Sequence, residues 1–401
     1  MNFFTVAGVA GNQRQIAEAV MKTVFKGWDP AEVNIERRVI TDIKQVGDIR
    51  GAGCIILAGT GGTSSKIIHI VEASRKPCLI LAHSKYNSLP SVLEALGVLK
   101  TKKIPVQVLY EDFSWKRIKQ FIRVAEAVSR IGQSRLACIG NIPHKPKDTL
   151  GVQLIPLTLQ ELVSRIKKTE PDAEARITQH LKNIFARVKV SDEAIAGSVR
   201  VYLAMKALAA DRKIDALTIR CFDLLPYEVT SCIGMALSND AGLVAGCEGD
   251  IDAAITMMLT RYLTGKPSFI ANPVAVDSRK NILTLAHCTI ATQMIQAKRS
   301  GLLPHFESGK GVAIDGYIKQ GKATLVRVNL DLGKMAIIPG KVIKSRMGYP
   351  DLCRTQVIVK IPHAGRFIEK AVGNHHILVL GDHAQEFRQL ARFLGLEPVA
   401  L

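Results

Sequence analysis

The chain has 401 residues, a formal net charge of +19, and a composition that is 47% hydrophobic and 22% charged. Enough apolar residue is present to bury sizeable cores in two or three domains, so a disordered chain is excluded. The longest apolar runs, residues 55–58 and 78–82, fall far short of the roughly 20 residues of a membrane span. The N-terminus has neither the basic stretch nor the cleavage site of a signal peptide, so no secreted or membrane protein is expected.

In chain order, residues 4–9 read as a strand and 13–26 as a helix. Residues 34–40 and 53–58 read as strands, and the second runs into Gly59-Thr60-Gly61-Gly62-Thr63 and a helix over 64–74. Strands over 77–82 and 104–110 alternate with helices over 88–99 and 114–131. Alternation of this kind implies a parallel sheet with helical crossovers. The pattern restarts near residue 134. Strands are expected over 136–140, 152–156, 216–222, 243–246 and 268–271. Helices are expected over 157–168, 173–188, 192–210, 228–239 and 251–263, with Asp192 as the N-cap of the third. From residue 272 the texture turns to strands, over 281–290, 311–319, 322–329, 334–342 and 356–361. Gly321 and Gly333 mark hairpin turns there, and a helix over 384–394 follows. The expected architecture is α/β: two Rossmann-like domains with parallel sheets (1–133 and 134–271), then a β-rich, barrel-like domain (272–401).

Charge is uneven along the chain. Residues 1–150 carry 22 Lys+Arg against 12 Asp+Glu, residues 151–270 carry 14 of each, and residues 271–401 carry 18 against 9. Basic ends favour an anionic ligand, an acidic partner or nucleic acid. At 5% aromatic the chain is poorly supplied with stacking platforms for single strands, so nucleic acid is not the favoured partner. The eight cysteines contain no CxxC pair, which argues against a zinc ribbon. They suit buried free thiols in a reducing compartment, hence a cytoplasmic protein.

Four stretches bear chemistry. The loop holding Gly61, Gly62 and Thr63 joins a strand to a helix N-terminus, where it either contacts a ligand or makes a plain tight turn. Cys247-Glu248-Gly249-Asp250-Ile251-Asp252 sets three carboxylates at a strand end. Asp250 and Asp252 are explained as a helix cap and a first-turn acid, but Glu248 is not, and it is the functional candidate. Hard divalent cations take carboxylate oxygens, and Mn²⁺ also accepts imidazole. His287 lies mid-strand, where a core histidine is the rival reading. His375 and His376 open an apolar run as ligands or as a polar strand edge.

The stretch from Met235 through Cys247-Glu248-Gly249-Asp250 to Phe269-Ile270-Ala271-Asn272 resembles the metal-site region of the L-fucose isomerase family, which includes L-arabinose isomerase. Gly373-Asn374-His375-His376 with Gly381-Asp382-His383 is similar to that family's C-terminal segment. The resemblance implies an aldose–ketose isomerase of a small sugar that works through an ene-diol with Mn²⁺ or a similar cation. It also implies a trimer-based homo-oligomer. It makes Glu248 a metal ligand and acid/base, His375 a ligand and, through the arabinose branch, His287 another. The family's second carboxylate falls at Asn272, 24 residues after Glu248. Asn272 can offer a carbonyl oxygen to a cation but cannot act as a base. The substrate loop at Gly61, Gly62 and Thr63, together with His376, completes the expected site, and the basic ends favour an anionic sugar. The alternative is a non-catalytic relative binding a sugar, RNA or an acidic protein partner.

Overall fold

Uninterrupted apolar runs such as Cys54–Ala58 and Cys78–Ala82 are stable only where both faces of a strand are covered, the situation of a parallel sheet between helices. The computed structural model, which describes residues 1–9, 11–28, 35–142 and 144–401, places them there. The chain forms two compact units, Met1–Arg130 with Arg392–Gly395, and Ile131–Ala391 with Leu396–Leu401.

In the first unit β1 (Asn2–Val6), α1 (Gln13–Phe25), β2 (Glu36–Ile40), β3 (Cys54–Ala58), α2 (Ser64–Ser74), β4 (Cys78–Ala82), α3 (Ser88–Thr101), β5 (Gln107–Tyr110) and α4 (Trp115–Ile131) follow one another. The five strands form one parallel sheet in the order β2-β1-β3-β4-β5. Side chains alternate between its faces. Phe4, Ile56 and Ile80 pack into one core, and Phe3, Ile55, Leu57 and Leu79 into the other.

The second unit begins with β6 (Arg135–Ile139), β7 (Gln153–Leu157), α5 (Leu159–Ile166), α6 (Pro171–Ile184), β8 (Arg187–Val188), α7 (Asp192–Arg212), β9 (Ala216–Ile219), α8 (Cys232–Asp240), β10 (Val244–Gly246) and α9 (Ile251–Thr264). Its parallel sheet runs β10-β9-β6-β7. There follow β11 (Phe269–Asp277), β12 (Ile282–His287), β13 (Gly301–Leu303), β14 (Ala313–Asp315), β15 (Gly321–Asn329), β16 (Lys334–Ser345), β17 (Thr355–Lys360), α10 (Phe367–Lys370), β18 (His376–Leu380), α11 (Ala384–Phe393) and β19 (Glu397–Val399). Strands β15-β18-β11-β12-β17-β16 pair antiparallel in that order, and β15 pairs with β16 to close a six-stranded barrel. Phe269, Leu283, Leu325, Ile338, Val357 and Leu378 belong to its core. The expected α/β class with parallel sheets and a barrel-like C-terminal region is therefore observed. No described helix is long and apolar enough to cross a membrane.

Several boundaries differ from expectation. The strand expected over 4–9 lies at Asn2–Val6, where it gains partners on both sides. The one expected over 34–40 starts at Glu36, with Asn34 outside the described residues. The strand expected over 216–222 stops at Ile219, and a 3₁₀ turn, Cys221–Tyr227, carries Pro226, which has no N–H for a ladder. The helix expected from 228 begins at Cys232, because Glu228 is left-handed (φ 59°). The helix over 173–188 ends at Ile184, and Arg187–Val188 pair instead with β13. Ser191, not Asp192, caps α7, its Oγ accepting the N–H of Ala194 at 3.2 Å. The strand over 311–319 shrinks to Ala313–Asp315. Gly333 turns the β15–β16 hairpin with φ 60°, whereas Gly321 pairs with Val342 as the first residue of β15. The expected boundary at 271/272 falls inside β11.

Candidate metal centre

The site is built where the parallel sheet meets the barrel. After β10 the chain turns sharply into α9. Glu248 (φ 61°) and Gly249 (φ 71°) are consecutive left-handed residues, a conformation Gly accepts freely and Glu does not. The Gly249 N–H donates to Ile219 O at 2.9 Å and the Asp250 N–H to Cys247 O at 3.2 Å, which hold the turn. Asp250 then caps α9 as expected, accepting the Ala253 N–H at 2.8 Å. The turn presents the half-exposed Glu248 carboxylate at the carboxyl end of β10, where ligand crevices of such sheets open.

The barrel supplies the histidines. Strands β18, β11 and β12 are neighbours, with Ala271 opposite His376 and Asn272 opposite Ala286. This pairing brings Asn272, His287 and His375 to one end of the barrel. His375 Nε2 lies 3.3 Å from Glu248 Oε2, and His287 Nε2 lies 3.5 Å from Glu248 Oε1. The two rings meet edge to face with centroids 5.5 Å apart. Both are buried, His287 at 4% and His375 at 1% exposure, and neither Nε2 has a hydrogen-bond partner among the described residues. Asn272 lines the same cavity as Glu248 and His287, and its Oδ1 lies 3.5 Å from Asn374 Nδ2.

A buried ionic frame fixes His375. Its Nδ1 bonds Asp250 Oδ2 at 2.8 Å, and Arg327 of β15 donates Nη1 to the same oxygen at 2.7 Å. Arg327 Nη2 is also 3.7 Å from Asp252. Burial disfavours charge on His375, but Asp250 and Glu248 together outweigh it and hold the ring's pKa up to about 9. Contacts with His287 and His375 keep Glu248 well below the usual carboxylate range. Burial pushes Asp250 up, but His375 and Arg327 prevail and it too is held down. His287 titrates below its ordinary value because of burial.

Glu248, His287, His375 and Asn272 thus converge, while His376 points elsewhere. It shares a strand face with Leu378 of the barrel core and packs on Phe367, with centroids 5.0 Å apart, because side chains alternate along β18. Burial lowers its pKa to about 4. Gly61, Gly62 and Thr63 lie in the other unit. Gly61 and Gly62 line a cavity there with Gly8, Thr60, Asn87 and Ser91. Thr63 is buried and donates its Oγ1 to Thr60 O at 3.0 Å.

Sequence reasoning missed Arg327, Cys247, His305 and Glu307. Arg327 carries a signal, a lone charge inside the apolar run of β15. Cys247 offers a sulfur that, with Glu248 and His287, forms a group of ligand atoms within 4.8 Å of one another. Contact with Cys221 and burial push the Cys247 thiol far up. His305 and Glu307 line the Glu248 cavity from the loop between β13 and β14. All eight cysteines are free, and five of them (Cys221, Cys232, Cys247, Cys288 and Cys353) surround this cavity.

No protein-family model matches the chain. Three curated relatives cover most of it. It is 26% identical over 319 residues to the sulfoquinovose isomerase of Clostridium sp. (strain MSTE9), covering 70% of this chain and 68% of that protein. It is 21% identical over 369 residues to the sulfoquinovose isomerase of Priestia megaterium, covering 82% and 81%. To that of Alkalicoccus urumqiensis it is 21% identical over 339 residues, covering 79% and 76%.

Proposed function

We propose that the chain is a metal-dependent aldose–ketose isomerase acting on an anionic sugar, with its centre at Glu248, His287 and His375. The observation that carries this reading is the pair of buried histidine Nε2 atoms, without hydrogen-bond partners, facing one carboxylate. Buried polar atoms are seldom left unpaired without a reason, and two imidazoles and a carboxylate are a donor set suited to Mn²⁺. Glu248, His287 and His375 would hold the ion, with the Asn272 carbonyl oxygen as a neutral fourth donor. When bound, such a cation polarises the carbonyl and hydroxyl oxygens of adjacent sugar carbons.

The protein groups do the rest. Asp250 accepts the Nδ1 proton of His375, which fixes the ring so that Nε2 faces the site and raises its basicity, the usual effect of a carboxylate behind a ligand histidine. Glu248, kept ionised by its histidines, is available to move a proton between the two carbons. Sulfoquinovose, in the names of the relatives, carries a sulfonate. The +19 charge of this chain suits an anionic substrate of that class.

Incubation of Mn²⁺-loaded protein with sulfoquinovose, and with glucose as the uncharged comparison, tests the reading. Ketose formation is expected, faster from the sulfonated sugar and abolished by EDTA. Absence of ketose from either sugar with Mn²⁺, Co²⁺ or Mg²⁺ overturns it.

A further inference from the structure

Interconverting an aldose and a ketose moves two protons. The C2 proton leaves as its bonding pair forms the C1=C2 bond and the carbonyl pair passes to O1. In the second half the C1=C2 pair takes that proton back at C1 while the O2–H pair forms the new carbonyl at C2. The net change therefore carries one proton from C2 to C1 and one from O2 to O1. Glu248 suffices for the first. Asn272, where the resemblance leads one to expect a second acid, cannot serve for the other because an amide does not take up a proton near neutral pH.

We propose that Glu307 is the acid/base that carries the hydroxyl proton, taking it from O2 and giving it to O1. Glu307 lines the same cavity as Glu248, Asn272 and His287, and is the one other carboxylate among the described residues that do so. Among the described residues its carboxylate has no hydrogen-bond or ion-pair partner.

The loop that carries it is a built structure. The His305 N–H donates to Lys310 O at 3.2 Å and the Gly309 N–H to His305 O at 2.9 Å. His305 Nδ1 meets Ser308 Oγ at 3.0 Å. Arg354 Nε donates to Pro304 O at 2.8 Å, and Lys310 pairs with Glu228. These contacts hold the backbone on both sides of Glu307, the support a proton-transfer group needs. The carboxylate missing from β11 is thus supplied from a different segment, 35 residues further along the chain.

This inference rests on the proposed isomerase reading, and its test separates the two. In Mn²⁺-loaded E307Q, kcat for sulfoquinovose is expected to fall about 100-fold or more. KM and Mn²⁺ content per chain should stay near those of the parent, and the pH–rate limb due to this carboxyl should be lost. E307D should recover part of kcat together with that limb. Parent-like kcat and pH profile in E307Q overturn the role of Glu307 alone. Loss of Mn²⁺ from E307Q also overturns it, since Glu307 would then be a ligand. An inactive parent protein overturns both readings.

Discussion

Glu248→Gln is expected to lower kcat by about 10²–10⁴-fold, the range for a positioned acid/base, and to reduce the bound divalent cation as well. The two losses arise together because one carboxylate faces both His287 and His375 from the turn after β10. The isosteric amide keeps a carbonyl oxygen for the cation but neither the charge nor the proton affinity. Structural damage should be small, since Gln occupies the same left-handed position (φ 61°) at similar cost. Metal analysis with kinetics on the same preparation checks this. An E248Q protein that retains Mn²⁺ and turns over at the parent rate removes Glu248 from the centre.

Arg327→Met is expected to be the most damaging single change to stability, costing about 3–5 kcal/mol. Arg327 is 5% exposed and pairs with Asp250 and Asp252, so its removal leaves buried Asp252 without the guanidinium and Asp250 with only His375 and the Ala253 N–H. The pH dependence has a definite sign. Asp250 is held below its ordinary value, so its stabilising contribution is complete above the ordinary aspartate pKa of about 3.9. That contribution is lost as the pH falls from there through the folded-state value. Asp252, raised chiefly by burial, acts in the opposite sense and is less destabilising once protonated. Without Arg327 the carboxylates carry a penalty at pH 7 that protonation relieves, so the gap between parent and R327M should narrow as the pH is lowered toward 4. Urea unfolding of both proteins at pH 7 and pH 4.5 measures it. A gap that is constant with pH would mean that the loss is one of packing.

Local chemistry was legible and long-range pairing was not. Gly-Asp after Glu248 reads as a turn into a capped helix, and the structure has that turn and that cap. The apolar runs at Cys54–Ala58 and Cys78–Ala82 read as covered parallel strands because their pattern is self-contained. Asp250 meets Arg327 across 77 residues and His375 across 125, and no spacing rule links such positions. His375 is expected as a metal ligand and His376 as a substrate contact, but His376 opens β18 and its side chain packs on Phe367, away from the Glu248 cavity. Glu307 sits in a loop without periodicity between β13 and β14, strands of a separate small sheet with β8, and only the tertiary packing of that sheet brings it to the cavity. The helix expected through 188 failed for a related reason, because Arg187–Val188 gain a distant partner in β13.

The central claim is that Glu248, held between His287 and His375, moves a proton between adjacent sugar carbons. Conversion of sulfoquinovose by the Mn²⁺-loaded protein in D₂O, followed by ¹H NMR, tests it most directly. The expected result is a ketose whose new C1 hydrogen is partly the transferred C2 hydrogen and partly solvent deuterium taken up while the proton resides on Glu248, and no ketose from E248Q. No ketose from the parent protein, or ketose formed by E248Q at the parent rate, would contradict it.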